Sequence, residues 1–320
     1  MIQYDESYFL PEVRDGFELK GMMKRYWAST MESLEQVDRI CTRHGIKYFG
    51  YYGTLLGAVR HGGFIPWDDD MDIAMLRSDY NSFIRYAKEE LEEPFILYNV
   101  EDSCIFPLRI INTFYTQMKE DFLERFHYCP YPTGIDIYVL DKIPEKKMDQ
   151  EVIKVLHQIV RYLSQHTDHR YEAIYNTENE LTPEDLDEIL DGLEEFTGEK
   201  FVRDETLSHQ LTVLAHRISA MYNKDYSKYI TRMSLWAMEP WRENMPVHAF
   251  DHVKRVPFEN TTIPIPTEYD TLLRLTYGDD YMTPKRGVGA HQAQFYDKFE
   301  KELLDIFKKC NAQPPQFLFE

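Results

Sequence analysis

The sequence predicts an α+β fold, a mixed β-sheet core flanked by helices and carrying a helical insertion. Three observations carry that expectation. Short runs rich in aromatic and aliphatic residues, at 46–52, 70–75, 95–100, 105–111 and 134–140, read as strands and alternate with stripes at helical spacing. From about 147 to 248 the strand signals stop and three helical patterns follow one another. After 251 the strand signals return. The expected organisation is a core with an N-terminal helix over 1–145, a helical region over 146–250, and a C-terminal part over 251–320 that returns to the core and completes it.

Taken in order, Met22, Tyr26, Trp27, Met31, Leu34, Val37 and Ile40 recur at near-helical spacing from Glu18 to about His44, and Gly45 supplies the stop. The strand at 46–52 delivers Gly53 to a turn, with a short helix over 55–59. At 70–75 alternation puts Asp70 and Asp72 on one face, with Asp68 in the same parity, while Met71 and Ile73 turn to the core. Ser78 is the expected N-cap of a helix carrying Tyr80, Phe83, Ile84, Ala87 and Leu91. Two strands follow, then an apolar one at 134–140 broken by a single acid, Asp136, with Asp141 closing it. Val152, Leu156, Ile159 and Leu163 define the next helix; Thr182, Pro183, Glu184 and Asp185 open another with cap, proline and acids in place. Leu207, Leu211, Leu214 and Ile218 define a third. A hairpin at 253–258 and 262–265 leads into a helix around Tyr269, Leu272 and Leu273, ended by Tyr277-Gly278-Asp279.

Composition narrows the classes of function. The 320 residues suffice for an ample core, and the net charge of -19 argues against unaided wrapping of nucleic acid or docking on anionic lipid. No apolar run reaches bilayer length, and the first residues lack a basic segment followed by an apolar one. The expectation is a soluble cytoplasmic protein without a transmembrane segment, with peripheral membrane contact left open. Cys41, Cys104, Cys129 and Cys310 are scattered and read as free thiols.

The chemistry concentrates between 51 and 75. Carboxylates crowded on one face repel, and a hard cation taking oxygen ligands from them is the simplest compensation, which favours Mg2+ or Mn2+. An acidic triplet alone is more often a solvated turn; the apolar alternation after these acids favours the cluster. Gly53, Gly57, Gly62 and Gly63 allow backbone amides to approach an anion, and Arg60 and His61 add side-chain donors. Asp136, inside an apolar strand, needs a partner, a hydrogen bond or a metal.

Gly53-Thr54 followed by Asp70-Met71-Asp72-Ile73 resembles the signature of the nucleotidyltransferase superfamily, with threonine where serine is common. The longer string from Gly53-Thr54-Leu55-Leu56-Gly57 through Arg60-His61 to Ile65-Pro66-Trp67-Asp68-Asp69-Asp70 resembles the LicD family, which includes phosphocholine transferases and fukutin-related ribitol-phosphate transferases. The resemblance covers roughly 41–141 and 251–291. It implies a nucleotidyltransferase-like core that moves a phosphorylated alcohol from a CDP-linked donor to a hydroxyl of a glycan, teichoic acid or lipopolysaccharide-type acceptor, releasing CMP. It further implies that Asp70, Asp72 and Asp136 are catalytic and, with Asp68, hold the metal. Gly53, Thr54, Gly57, Arg60, His61, Arg109, Lys285, Arg286 and His291 would then meet donor phosphates and nucleotide. For Arg109 a phosphate contact and a structural ion pair stay equally open. Alternatives are a nucleotidyltransferase that releases pyrophosphate, a glycosyltransferase using Asp-x-Asp, and a non-enzymatic binding module. Which alcohol and which acceptor are used is left open.

Overall fold

A computed structural model describes residues 2–100, 107–167, 182–240, 244–285, 301, 304–305 and 308–309. The chain divides into two compact units. The first comprises Met1–Leu97, Leu108–Val139 and His248–Glu320; the second comprises Tyr98–Pro107 and Leu140–Val247.

The first unit opens with an antiparallel hairpin of β1 (Glu12–Arg14) and β2 (Phe17–Leu19). Its turn residues Asp15 and Gly16 have φ of 47° and 68°, the doubly left-handed geometry that a two-residue hairpin turn requires. Helix α1 (Gly21–His44) therefore starts three residues later than its apolar stripe suggested, because Glu18 belongs to β2. Trp27, Met31, Val37 and Ile40 are fully buried along it, and Gly45 closes it in the left-handed conformation at φ 65°.

Next come β3 (Phe49–Gly50), α2 (Tyr52–Arg60), β4 (Asp72–Leu76), α3 (Arg77–Glu90), β5 (Ile96–Tyr98), β6 (Leu108–Ile111), α4 (Glu120–Arg125) and β7 (Gly134–Lys142). The sheet order is β3-β4-β7-β6-β5, with β3 antiparallel to β4 and β6 antiparallel to β7. Helix α2 begins at Tyr52 rather than at 55. Ser78 does not cap α3: the chain turns directly from β4 into the helix with Leu76 as N-cap and no side-chain cap bond.

In β7 the alternation is clean over its first six residues. Ile135, Ile137 and Val139 are buried on one face, whereas Gly134, Asp136 and Tyr138 stand half-buried on the other. Arg109 pairs with Asp136 in register and shares that second face.

The boundary between the units falls within β7. Asp141 does not close the strand, which runs on to Lys142 and pairs with β8 (Tyr229–Thr231). Asp141 is only 1% exposed, and its carboxylate accepts from Asn223 Nδ2 at 2.5 Å, which offsets part of the cost of burying it. The rest of the second unit is α5 (Lys147–Thr167), α6 (Pro183–Thr197), α7 (Leu207–Ala220), α8 (Met233–Trp236) and β9 (Met245–Pro246). Its core joins Ile153, Val160 and Leu163 of α5 to Leu190, Leu211, Ile218 and Trp236. Thr182 caps α6 with a full capping box closed by Asp185, as its local sequence dictates.

The chain returns to the first unit with β10 (Val253–Phe258) paired to β11 (Thr261–Pro266), then α9 (Tyr269–Tyr277). Among the described residues no helix is long and apolar enough to cross a membrane.

Candidate active site

The segments that carry the acids are joined where α2, β4 and β7 come together. Strand β4 starts at Asp72, so Asp70 and Met71 precede it rather than belonging to it. They are fixed all the same. The Asp136 amide donates to the Met71 carbonyl at 3.0 Å, which sets Asp136 opposite the run that carries Asp70 and Asp72. On the other side the Asp72 amide donates to Thr54 Oγ1 at 2.8 Å, and the Tyr51 amide donates to the Asp72 carbonyl at 2.9 Å. Backbone hydrogen bonds thus stitch the acidic run to β7 on one flank and to the start of α2 on the other.

Asp136 is held by Arg109. The guanidinium NH2 donates to Oδ2 at 2.9 Å, and Nε lies 2.6 Å from Oδ1, an ion-pair contact outside hydrogen-bond geometry. The structure contains the Arg109–Asp136 ion pair, one of the two roles left open for this residue. Burial nevertheless pushes the Asp136 carboxyl above its ordinary value; Arg109 opposes that, and the Asp70 charge adds to it. Burial acts to lower the Arg109 value, but Asp136, the Tyr138 hydroxyl and Asp72 outweigh it. Asp70, Asp72, Asp136 and Arg109 therefore sense one another's charge.

The glycines around α2 make room for the protein's own groups. A Cβ on Gly53 would sit 2.5 Å from Asp68 Oδ2, and one on Gly57 would sit 2.3 Å from the Gly63 carbonyl. In this arrangement the space they leave is filled by the Asp68 carboxylate and by the 61–65 turn lying on α2. Asp68 is fixed through its backbone, its carbonyl accepting from Trp27 Nε1 at 2.9 Å and its amide donating to Ile65.

The basic residues distribute differently. Arg60 donates to the Tyr281 carbonyl at 2.8 Å, and His61 Nε2 meets Asp15 Oδ2 at 2.8 Å. Burial, reinforced by Arg60, lowers the His61 pKa against the pull of Asp15. Lys285 pairs with Asp280. Arg286 and His291 lie outside the described residues.

Several participants were missed by sequence reasoning. Tyr277 has its pKa raised by burial and then by Asp68, Asp72 and Asp70, which brings α9 to the acids. From the sequence it reads only as part of a helix end, Tyr277-Gly278-Asp279. Asp15 belongs to an Asp-Gly hairpin turn flanked by Val13 and Phe17, a local signal that was there to be read. Glu259, at φ 45° between β10 and β11, accepts from the Phe64 amide at 3.1 Å, the Arg14 guanidinium at 2.9 Å and the Tyr8 hydroxyl at 3.1 Å. No sequence signal pointed to it, since its partners are some two hundred residues away.

Carboxylate oxygens are the ligands that Mg2+ or Mn2+ takes, so the donor chemistry fits such an ion. The third acid is committed to Arg109, and among the described residues no group of three or more His, Cys, Asp or Glu side chains is disposed to hold a metal.

Residues 45–128 match the family model described as LicD/FKTN/FKRP, nucleotidyltransferase domain. That stretch includes Asp68, Asp70, Asp72 and Arg109 and ends before Asp136. The chain is 32% identical over 118 residues to the lipopolysaccharide cholinephosphotransferase LicD of Haemophilus influenzae, covering 35% of this chain and 42% of that protein. It is 30% identical over 136 residues to an uncharacterized protein of Rickettsia typhi, covering 40% and 43%. The match thus spans less than half the length of either relative.

Proposed function

Because this chain belongs to the LicD family, we propose that it moves a phosphorylated alcohol, phosphocholine-like or ribitol-phosphate-like, from a CDP-linked donor to a hydroxyl of a glycan or glycan precursor and releases CMP. The observation that carries this reading is the Met71–Asp136 hydrogen bond, which draws Asp136 to the acidic run while Arg109 supplies a cation beside it. Asp70 and Asp72, assisted by Asp68, would hold Mg2+ or Mn2+, and such an ion neutralises diphosphate charge and polarises a phosphoryl oxygen. Phosphoryl transfer is mostly positioning and charge neutralisation, so the chain needs no covalent nucleophile of its own.

Asp136 takes the proton of the acceptor hydroxyl. Burial raises its pKa toward the working range of a base, the direction such a role requires. The acceptor oxygen forms its bond to the phosphorus bearing the alcohol as the bond to the bridging oxygen breaks, and the electron pair leaves with CMP. Arg109, freed from Asp136 in that step, follows the phosphate charge. A lipopolysaccharide type of acceptor is in keeping with the name of the Haemophilus relative, and we assign the helical 146–250 region to the acceptor.

Mass spectrometry of products from a panel of CDP-linked alcohols tests the proposal. CMP together with a phospho-alcohol adduct of the acceptor is expected. Release of pyrophosphate from a nucleoside triphosphate, with no CMP from any CDP ester, would replace it with nucleotidyl transfer.

A further inference from the structure

The N-terminal hairpin, which lies outside the 45–128 stretch that matches the family, touches the end of α2 through one carboxylate. Asp15 stands at φ 47° in the β1–β2 turn, and its Oδ2 lies 2.8 Å from His61 Nε2. The His61 side chain is 7% exposed and that of Asp15 44%. At the other ring nitrogen, Arg60 Nε donates to His61 Nδ1 at 3.4 Å. A guanidinium nitrogen can only donate and a carboxylate can only accept, so Nδ1 is bare and the ring proton sits on Nε2, facing Asp15. Burial, reinforced by Arg60, keeps the ring below its ordinary pKa, which favours the neutral form that this order of donors requires.

The relay ends on a guanidinium aimed by two of its nitrogens. Arg60 Nη1 donates to the Tyr281 carbonyl at 2.8 Å while Nε is engaged with His61. Among the described residues nothing accepts from Nη2, and its two N–H groups are left for a ligand. Arg60 closes α2, about 9 Å along the axis from Thr54, whose hydroxyl receives the Asp72 amide. Burial raises the Tyr277 pKa, Asp68, Asp72 and Asp70 add to that, and Arg60 opposes them. The guanidinium and the acids therefore border one phenol.

Asp15 is not needed to hold the hairpin in place. Arg14 pairs with Glu259 at 2.9 Å, Lys24 with Glu12 at 2.8 Å, and the Phe17 ring lies 6.3 Å from that of Trp67. A staple would use only one nitrogen of His61, whereas both are engaged. We propose that Asp15 is a positioning residue that acts through His61 to turn the Arg60 guanidinium toward a phosphate of the diphosphate donor held at the acids. This rests on the transfer reading of the acids. Guanidinium recognition of phosphate is planar and directional, so an Arg60 released from His61 would carry the same charge and bind less tightly.

The test titrates the full chain, with Mg2+ present, against CDP-choline and CDP-ribitol by calorimetry, and records the melting temperature of each variant. Asp15→Gly keeps the left-handed turn, removes the acceptor and should weaken the tighter ester by about 5-fold or more. Asp15→Asn returns an acceptor oxygen at a φ that asparagine tolerates and should recover most of that loss. Arg60→Met should weaken binding by itself, and adding Asp15→Gly to it should change nothing further; a purely structural role for Asp15 would cost as much in either background. NMR of the imidazole nitrogens in the ligand-free protein at neutral pH, with His61 identified by its loss in His61→Asn, should show the proton on Nε2. Asp15→Gly binding like the unmodified protein, an equal loss with and without Arg60, or a His61 proton on Nδ1 overturns the inference and leaves the transfer reading standing. If neither ester binds the unmodified protein, the transfer reading falls, and this inference with it.

Discussion

Replacing Glu259 by alanine should destabilise the first unit by about 3 to 5 kcal/mol. The carboxylate is 4% exposed and takes three donors, Arg14 (itself only 27% exposed), the Tyr8 hydroxyl and the Phe64 amide. Losing a hydrogen bond to a charged group costs about 1.5 to 3 kcal/mol, and each of the two neutral donors left without an acceptor costs about 1 more. The sum agrees with the roughly 3 to 5 kcal/mol found when one member of a buried ion pair is removed. At about 2 °C per kcal/mol for a chain of this size, the melting temperature should fall by roughly 6 to 10 °C. Glu259→Gln keeps the volume and one acceptor oxygen and should lose about half as much. The assay is thermal unfolding followed by tryptophan fluorescence, in which Trp27, fully buried in this unit, reports directly. A melting temperature for the alanine variant within about 2 °C of the unmodified protein would refute the reasoning.

Two glycine substitutions should separate packing from chemistry. Gly57→Ala drives a Cβ into the Gly63 carbonyl, a backbone atom that moves only with its whole turn, and should cost about 1 to 3 kcal/mol or more by thermal melting. Gly53→Ala meets only the end of the Asp68 side chain, and its helix-propensity gain of up to about 1 kcal/mol offsets the clash. It should melt normally and lose transfer activity by about 10-fold or more through displacement of Asp68. In the second unit, burial holds His157, 4% exposed and against Ser219, down to about 4 from 6.5. The unfolded chain takes its proton first as pH falls. Stability from this group is therefore complete above about pH 6.5 and is lost as pH drops to about 4, close to 3 kcal/mol in all and about 2 of it by pH 5. Urea titrations at pH 7 and pH 5 should show that loss in the unmodified protein and its absence in His157→Gln; parallel behaviour of the two would contradict a histidine buried neutral.

Local signals carried furthest in reading this chain. The αL stop at Gly45, the capping box at Thr182 and the 253–266 hairpin depend on a few neighbouring residues and took the form their sequence dictated. The acidic run was legible only in part, since β4 starts at Asp72 and buries Ile73, Ala74 and Met75 alike, so strand alternation does not orient Asp70. Strand ends and partners were less so. Asp141 looked like a closing residue because its acceptor-matched partner, Asn223, lies 82 positions downstream. The pairing of Arg109 with Asp136 depends on the register between β6 and β7, which no local pattern specifies. Gly53 and Gly57 announced close approach, and only the folded chain shows that the approaching groups include Asp68 and Gly63.

The most direct measurement is Mn2+ binding followed by electron paramagnetic resonance on the unmodified protein and on Asp70→Asn, Asp72→Asn and Asp136→Asn, each with its melting temperature recorded. One site in the unmodified protein, weakened about 10-fold or more by the Asp70 and Asp72 changes in variants that melt normally, is the expected result. Equal Mn2+ affinity in all four proteins, or no binding in any, would contradict the claim that these acids are gathered to hold an ion.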